Sequence, residues 1–235
     1  IRCSKYFPTM TDIEKNYQAL QRRIQSSLAL TGQEESGFTV VAVSKKKSLA
    51  DIETAYNLGL NNFGENFVQE AIKKIKAFKH KTTWHFIGSI QSNKAKSISE
   101  NFDWVHTITR YSIAEKLDKH RPKSLPPLHV CVQIQLHQDD SRNSLPINQL
   151  FAMATKIKTL PNLKLRGLMG MTRFGASEEE RHQSYRTMEM ASHILKDNGF
   201  EIDTLSMGMS DDLEIAIHNH ANMIRIGTAL FGPRQ

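Results

Sequence analysis

Eight short strand-like runs lie along this chain, the first of them rich in β-branched residues, and seven segments with helical spacing separate them. That alternation restricts the fold to the α/β class. The first run, Phe38-Thr39-Val40-Val41-Ala42-Val43, is apolar without alternation, as a strand buried on both faces reads. Further strands are expected at 62–65, 84–88, 104–108, 127–136, 164–171, 204–207 and 223–226. Helices fill the gaps: from Ser48 to Gly59, on to about Phe78, then over 91–100, 112–119, 146–159, 177–198 and 211–220. Ser48 with Asp51, and Ser177 with Glu180, form capping boxes that mark two of the starts. A further helix precedes the series, with Ile13, Tyr17, Leu20, Ile24 and Leu28 on one face and Gly32 as its stop. The expected architecture is a single (β/α)8 TIM barrel with an extra N-terminal helix. A doubly wound open sheet is the alternative, which periodicity does not separate from it.

The chain has 235 residues, 39% of them hydrophobic, enough for one sizeable core. Thr11 and Glu14 form a capping box just after Met10, so residues 1–9 read as an extension without functional weight and 10–235 as the barrel domain. No apolar run approaches the roughly 18 residues that span a bilayer, and residues 1–9 lack a signal-peptide core. Two cysteines, Cys3 and Cys131, make no disulfide framework, and a reducing cytoplasm fits them. The net charge of +7 would suit nucleic acid, but the lysines are scattered over helix faces and do not alternate with aromatics. No metal and no membrane partner is expected.

Barrels of this kind carry their chemistry at the C-terminal ends of the strands. Lys45 ends the first strand, where partial desolvation would lower its pKa and ready it for an aldehyde. Taken alone, Lys45-Lys46-Lys47 reads more readily as a solvated basic loop. After strands seven and eight, Ser206-Met207-Gly208-Met209-Ser210-Asp211 and Arg225-Ile226-Gly227-Thr228 offer small residues and backbone N–H groups of the kind that grip phosphate. Equally, Ser210 can cap a helix and Gly227 mark a turn, while Asp211 and Asp212 would repel a phosphate if turned toward it. Arg225 lies inside an apolar strand and needs a carboxylate or a ligand acceptor there, a structural salt bridge being the commoner answer.

At these residues the chain resembles the pyridoxal-phosphate homeostasis family, whose barrel is similar to the N-terminal domain of alanine racemases. The matching stretches are Ala42-Val43-Ser44-Lys45, 63–70, Trp84-His85-Phe86-Ile87-Gly88 with Gln91-Ser92-Asn93-Lys94, Leu165-Arg166-Gly167-Leu168-Met169, 205–210 and 225–232. They follow in order from about residue 10 to the end. The resemblance implies that Lys45 forms a Schiff base with pyridoxal 5'-phosphate. It implies that Ser210, Gly227 and Thr228 hold the phosphate, with Ser206 and Met209 nearby. Arg225 would face the pyridine nitrogen, Asn66 would lie close to the ring, and Met169 would line the pocket.

A guanidinium at the ring nitrogen disfavours its protonation and weakens the ring as an electron sink. Racemases so arranged use a second base placed by a further β-domain, for which a chain ending at Gln235 has no room. The expectation is therefore a monomeric, cytoplasmic carrier in vitamin B6 and amino-acid homeostasis, with no catalytic residues and with apoenzymes as recipients. An amino-acid racemase, using a base such as His85, and a basic nucleic-acid-binding protein are the alternatives. Departures from the family pattern are Arg142 and Ser144, where Lys and Gly are common, and Ser89, where a bulkier or cyclic residue is frequent.

Overall fold

A computed structural model of the chain describes residues 10–137 and 144–233. Eight parallel strands close on themselves in sequence order, β1 beside both β2 and β8. They are β1 (Thr39–Val43), β2 (Asn62–Glu65), β3 (Thr83–Phe86), β4 (Trp104–Ile108), β5 (Leu128–Gln133), β6 (Leu163–Met169), β7 (Thr204–Ser206) and β8 (Met223–Ile226). Around them run α1 (Asp12–Thr31), α2 (Leu49–Asn57), α3 (Val68–Ala77), α4 (Ala95–Asn101), α5 (Tyr111–His120), α6 (Leu150–Lys158), α7 (Glu178–Asp197), α8 (Leu213–His218) and α9 (Thr228–Phe231). The closed ladder decides against the open sheet. Residues 1–9, read above as an extension, and Arg142 lie outside the described residues.

The capping boxes at Thr11, Ser48 and Ser177 all form, each hydroxyl accepting the N–H three residues on. Gly32 ends α1 in the left-handed region at φ 65°. α1 buries Leu20, Ile24 and Leu28, each contributing roughly 1.5–3 kcal/mol by leaving water, against α8 and α9. Polar contacts fix its register on the same surface. Arg23 Nε meets Glu214 at 2.6 Å, and Arg23 Nη2 donates to the Ser210 carbonyl at 3.0 Å.

Several element ends differ from the sequence expectation: β3 and β6 stop at Phe86 and Met169, α4 and α6 start at Ala95 and Leu150, and α9 is a short helix that was not expected; two further differences have a visible cause. β5 stops at Gln133 rather than running to 136, because from Ile134 on the backbone bridges to Leu145 instead of continuing along β6. α8 begins at Leu213 rather than 211, because Asp212 is drawn into the core by side-chain bonds. The β5–β6 register also shifts, Val130 facing Leu165 but Cys131 facing Gly167, so Arg166 is an extra residue on β6.

Gly167 makes that bulge possible: a Cβ there would collide with the Thr204 carbonyl oxygen on β7. Gly167→Ala should lower stability by about 1–3 kcal/mol or more in urea unfolding, since backbone must move to admit the methyl. Gly37→Ala, where a Cβ meets nothing within 4 Å, should change it by less than about 0.5 kcal/mol.

Candidate functional site

The turn after β1 treats its three lysines differently. Lys45 is half-buried, Lys46 is exposed with φ 60°, and Lys47 Nζ donates to the Phe231 carbonyl at 2.9 Å. A run of solvated lysines would not be sorted this way. Beneath the turn lies an ionic cluster. Lys74 Nζ, on α3, donates to the Ser44 carbonyl at 2.7 Å, to Glu65 Oε1 at 2.8 Å and to Glu70 Oε1 at 2.6 Å. Ser44 Oγ donates to Glu65 Oε1 at 2.7 Å, and the Lys46 N–H to Glu70 Oε1 at 2.6 Å. The backbone on both sides of Lys45 is thereby tied to α3. Burial raises the Glu65 pKa, against the pull of Lys74 and Ser44.

On the far side of the mouth the loops after β7 and β8 meet. Ser210 Oγ accepts the Ala229 N–H at 3.1 Å, so its hydroxyl joins the two loops and does not cap α8. Gly208, at φ 90°, would press a Cβ to 2.6 Å from Ala216 Cβ, and the loop needs glycine there. Asp212 is buried and turned away from the mouth. It accepts the Met209 N–H at 2.7 Å, the Thr172 hydroxyl at 2.9 Å and the Tyr185 hydroxyl at 2.6 Å. The carboxylate is taken up by these three donors. Register brings this side to Lys45: Arg225 faces Val41, Ile226 faces Ala42, and Gly227 packs against Val43. Met209 and Thr228 are exposed and Ser210 half-buried, all at the mouth.

Arg225 lies buried on β8. Nη1 donates to Ser206 Oγ at 2.8 Å and Nη2 to the Gly170 carbonyl at 2.9 Å, so two of its donors meet neutral oxygens rather than a carboxylate. Ser206 therefore sits beneath Arg225 inside the barrel, next to His106 Nδ1 at 2.8 Å. His106 Nε2 lies 2.9 Å from His85 Nδ1, and His85 Nε2 lies 2.9 Å from Asn62 Oδ1. Burial, with His129 nearby, pushes His85 down to about 3. Burial, His85 and Arg225 hold His106 well below the ordinary imidazole value. His85 is an interior residue and does not stand at the mouth as a base.

Met169 is fully buried in an interior cluster with Val41, Trp104, Cys131 and Met223, and Met171 packs on it. Asn66 follows β2, and its Oδ1 is buried without a hydrogen-bond partner. It borders a cavity of about 440 Å³ that Ser89, Gln91 and Lys94 also line. Gly88 carries no Cβ that would strike the Asn66 backbone, which lets the β2 and β3 loops close on each other. Ser144 is half-buried beside the Ile134–Leu145 bridge. Sequence reasoning missed the Lys74 cluster and the histidine pair. The signal of the histidine pair was polar residues within buried strands, as in Trp84-His85-Phe86 and Val105-His106-Thr107, whereas Lys74 stands on a helix where its partners Ser44 and Glu65 lie on other elements.

Lys74→Met should cost about 3–5 kcal/mol in urea unfolding, because it strands the Glu65 carboxylate in the core. A pH series should show the neutral state of His85. Its folded pKa of about 3 lies below the unfolded value of about 6.5, so the unfolded chain binds the extra proton between them. Stability should fall as pH drops through that window, His85 contributing about 1.4 kcal/mol per pH unit. His85→Gln should reduce the slope between pH ~6 and ~4 by about one proton.

Residues 11–235 match the alanine racemase N-terminal domain family. The pyridoxal phosphate homeostasis protein of Pseudomonas aeruginosa is 42% identical over 226 residues, which is 96% of this chain and 97% of that protein. Its counterpart in Escherichia coli is 40% identical over 229 residues, 96% of this chain and 98% of that one. The structure of PipY from Synechococcus elongatus with PLP bound superposes with a TM-score of 0.80 at 33% identity, covering 90% of this chain and 99% of PipY. The barrel with its lysine at the end of β1, and identity of this order over nearly full length on both sides, establish that the chain belongs to the pyridoxal phosphate homeostasis family, built on the alanine racemase N-terminal domain.

Proposed function

We propose that this chain holds pyridoxal 5'-phosphate on the Lys45 amine at the barrel mouth and serves as a carrier or reservoir of it rather than as a catalyst. The observation that carries this reading is the meeting of three different chemistries at one mouth. A half-buried lysine sits on a turn whose backbone an ionic cluster ties to α3, a donor-only guanidinium stands on the neighbouring strand, and two small-residue loops are joined through Ser210. The donor set fits the cofactor. Ser210 Oγ accepts from Ala229 and keeps its own proton to donate to a phosphate oxygen, beside the N–H groups of Gly227 and Thr228. Asp212, already satisfied within the core, does not oppose an anion there. Asn66 Oδ1, buried and unpartnered, would be an acceptor available to the cofactor.

When bound, the cofactor supplies an aldehyde that condenses with a primary amine with loss of water, and a ring that can withdraw electrons. Arg225 stays protonated and donates only, so facing the ring nitrogen it would disfavour protonation there and leave the ring a poor sink. His85, locked inside the barrel, supplies no second base. Both facts favour holding over turnover. We assign the carrier to vitamin B6 homeostasis, as the names of its relatives suggest, with apoenzymes as recipients and the monomer as the working form. Among the described residues no helix is long and apolar enough to cross a membrane, and no metal-binding cluster is found. We place the protein in the cytoplasm, with which a free, buried Cys131 and the lack of a disulfide framework in the sequence agree.

Reconstituted protein should be yellow, and Lys45→Ala should abolish the visible band while leaving the fold intact. A wild type without that band sinks the reading. Ser210→Ala should weaken cofactor binding by on the order of tenfold in equilibrium dialysis, from the loss of one hydrogen bond to an anion. Holo-protein incubated with single amino acids should exchange their α-protons no faster than free cofactor does, followed by NMR; exchange at enzymatic rates overturns the carrier role.

A further inference from the structure

The interior of the barrel holds a continuous series of side-chain hydrogen bonds, and its two ends differ in kind. At the upper end Arg225 Nη1 donates to Ser206 Oγ at 2.8 Å, and a guanidinium has no lone pair with which to accept. At the lower end Asn62 presents Oδ1 to His85 Nε2 at 2.9 Å, while its Nδ2 donates to Asn61 Oδ1 at 2.7 Å. The carbonyl end of that amide therefore faces His85, and His85 Nε2 must donate. Between them each ring nitrogen has one neighbour. Every member is buried or half-buried in the barrel, Ser206, His106 and His85 completely so.

We infer that Arg225, Ser206, His106, His85 and Asn62 form a hydrogen-bond chain locked in one direction, in which both histidines are neutral Nε2–H tautomers and Ser206 acts as a positioning residue for the Arg225 guanidinium. The order follows step by step. His85 donates from Nε2, so its Nδ1 accepts and His106 donates from Nε2. His106 Nδ1 then accepts, so the Ser206 hydroxyl proton points at it, leaving Ser206 a lone pair for Arg225. The opposite direction would aim two donors at Ser206 Oγ and leave its proton without an acceptor among the hydrogen bonds of the described residues. A proton on either ring would break one link, and on His106 it would set a second cation near Arg225, in agreement with the depressed pKa of both rings. Because Arg225 cannot accept, the series cannot shuttle a proton. It holds a direction instead of conducting. What the held guanidinium meets at the mouth rests on the function proposed above, whereas the tautomers and the direction follow from the barrel alone.

The test uses the full chain without added cofactor. Side-chain 15N NMR should show His85 and His106 as Nε2–H tautomers that do not titrate between about pH 5 and 8. The Arg225 Nη groups should give separate, slowly exchanging signals. Ser206→Ala should merge those signals, and Ser206→Thr, which keeps the hydroxyl, should restore them. An Nδ1–H tautomer at either ring, an imidazolium within that range, or Arg225 signals in Ser206→Ala as well separated as in wild type would each overturn the inference. If the reconstituted wild type lacks its visible band while these signatures hold, the cofactor reading fails and the locked chain stands.

Discussion

Closure of eight parallel strands into one ladder is the constraint on which everything else in this molecule rests. A closed ladder leaves no strand at an edge, and inward side chains share a narrow space sealed from water. Apolar residues fill part of it, as Val41, Trp104, Cys131, Met169 and Met223 do. Polar residues placed inside must find each other, because an unpaired buried donor costs about 1–3 kcal/mol and a buried charge more. Arg225, Ser206, His106 and His85 meet that demand among themselves. The same closure brings β8 beside β1, and so brings the Arg225 strand to the Lys45 strand.

Above the sealed interior, the mouth is organised by contacts that reach outward to helices. Lys74 ties α3 to the turn carrying Lys45, while Arg23 ties α1 to the Ser210 carbonyl and to α8. The two attachments differ in energy. Lys74 and Glu65 are almost wholly buried, where the cost of dehydrating both charges largely offsets their attraction. Arg23 and Glu214 are partly exposed, where a pair contributes little more than about 1 kcal/mol. Neither holds the fold together by itself. Their effect is on geometry, since a buried ammonium with three fixed acceptors permits one arrangement of the turn above it.

Local chemistry was legible wherever its partners lie within a few residues. The capping boxes at Thr11, Ser48 and Ser177 and the stop at Gly32 formed as read, because a cap needs only the first turn of its own helix. The short end of β5 and the late start of α8 were not legible. Each depends on a partner far along the chain, Leu145 for the first and Thr172 with Tyr185 for the second. The triple-lysine turn misled in the same way. In isolation it is a charge run, and only the acceptors on α3 and at Phe231 distinguish its members.

The sequence by itself determined the alternation of strand and helix, the extra N-terminal helix, and the candidate positions Lys45, Ser210, Arg225, Gly227 and Thr228. Strand periodicity and short motifs carry that information locally. Tertiary structure alone decided that the sheet closes, that Asp212 turns inward, that Ser206 and Met169 belong to the interior, and that His85 is paired with His106. These depend on which residues of separate strands share a level in the barrel. Register between strands is set by packing around the whole ring, and no single segment of sequence contains it.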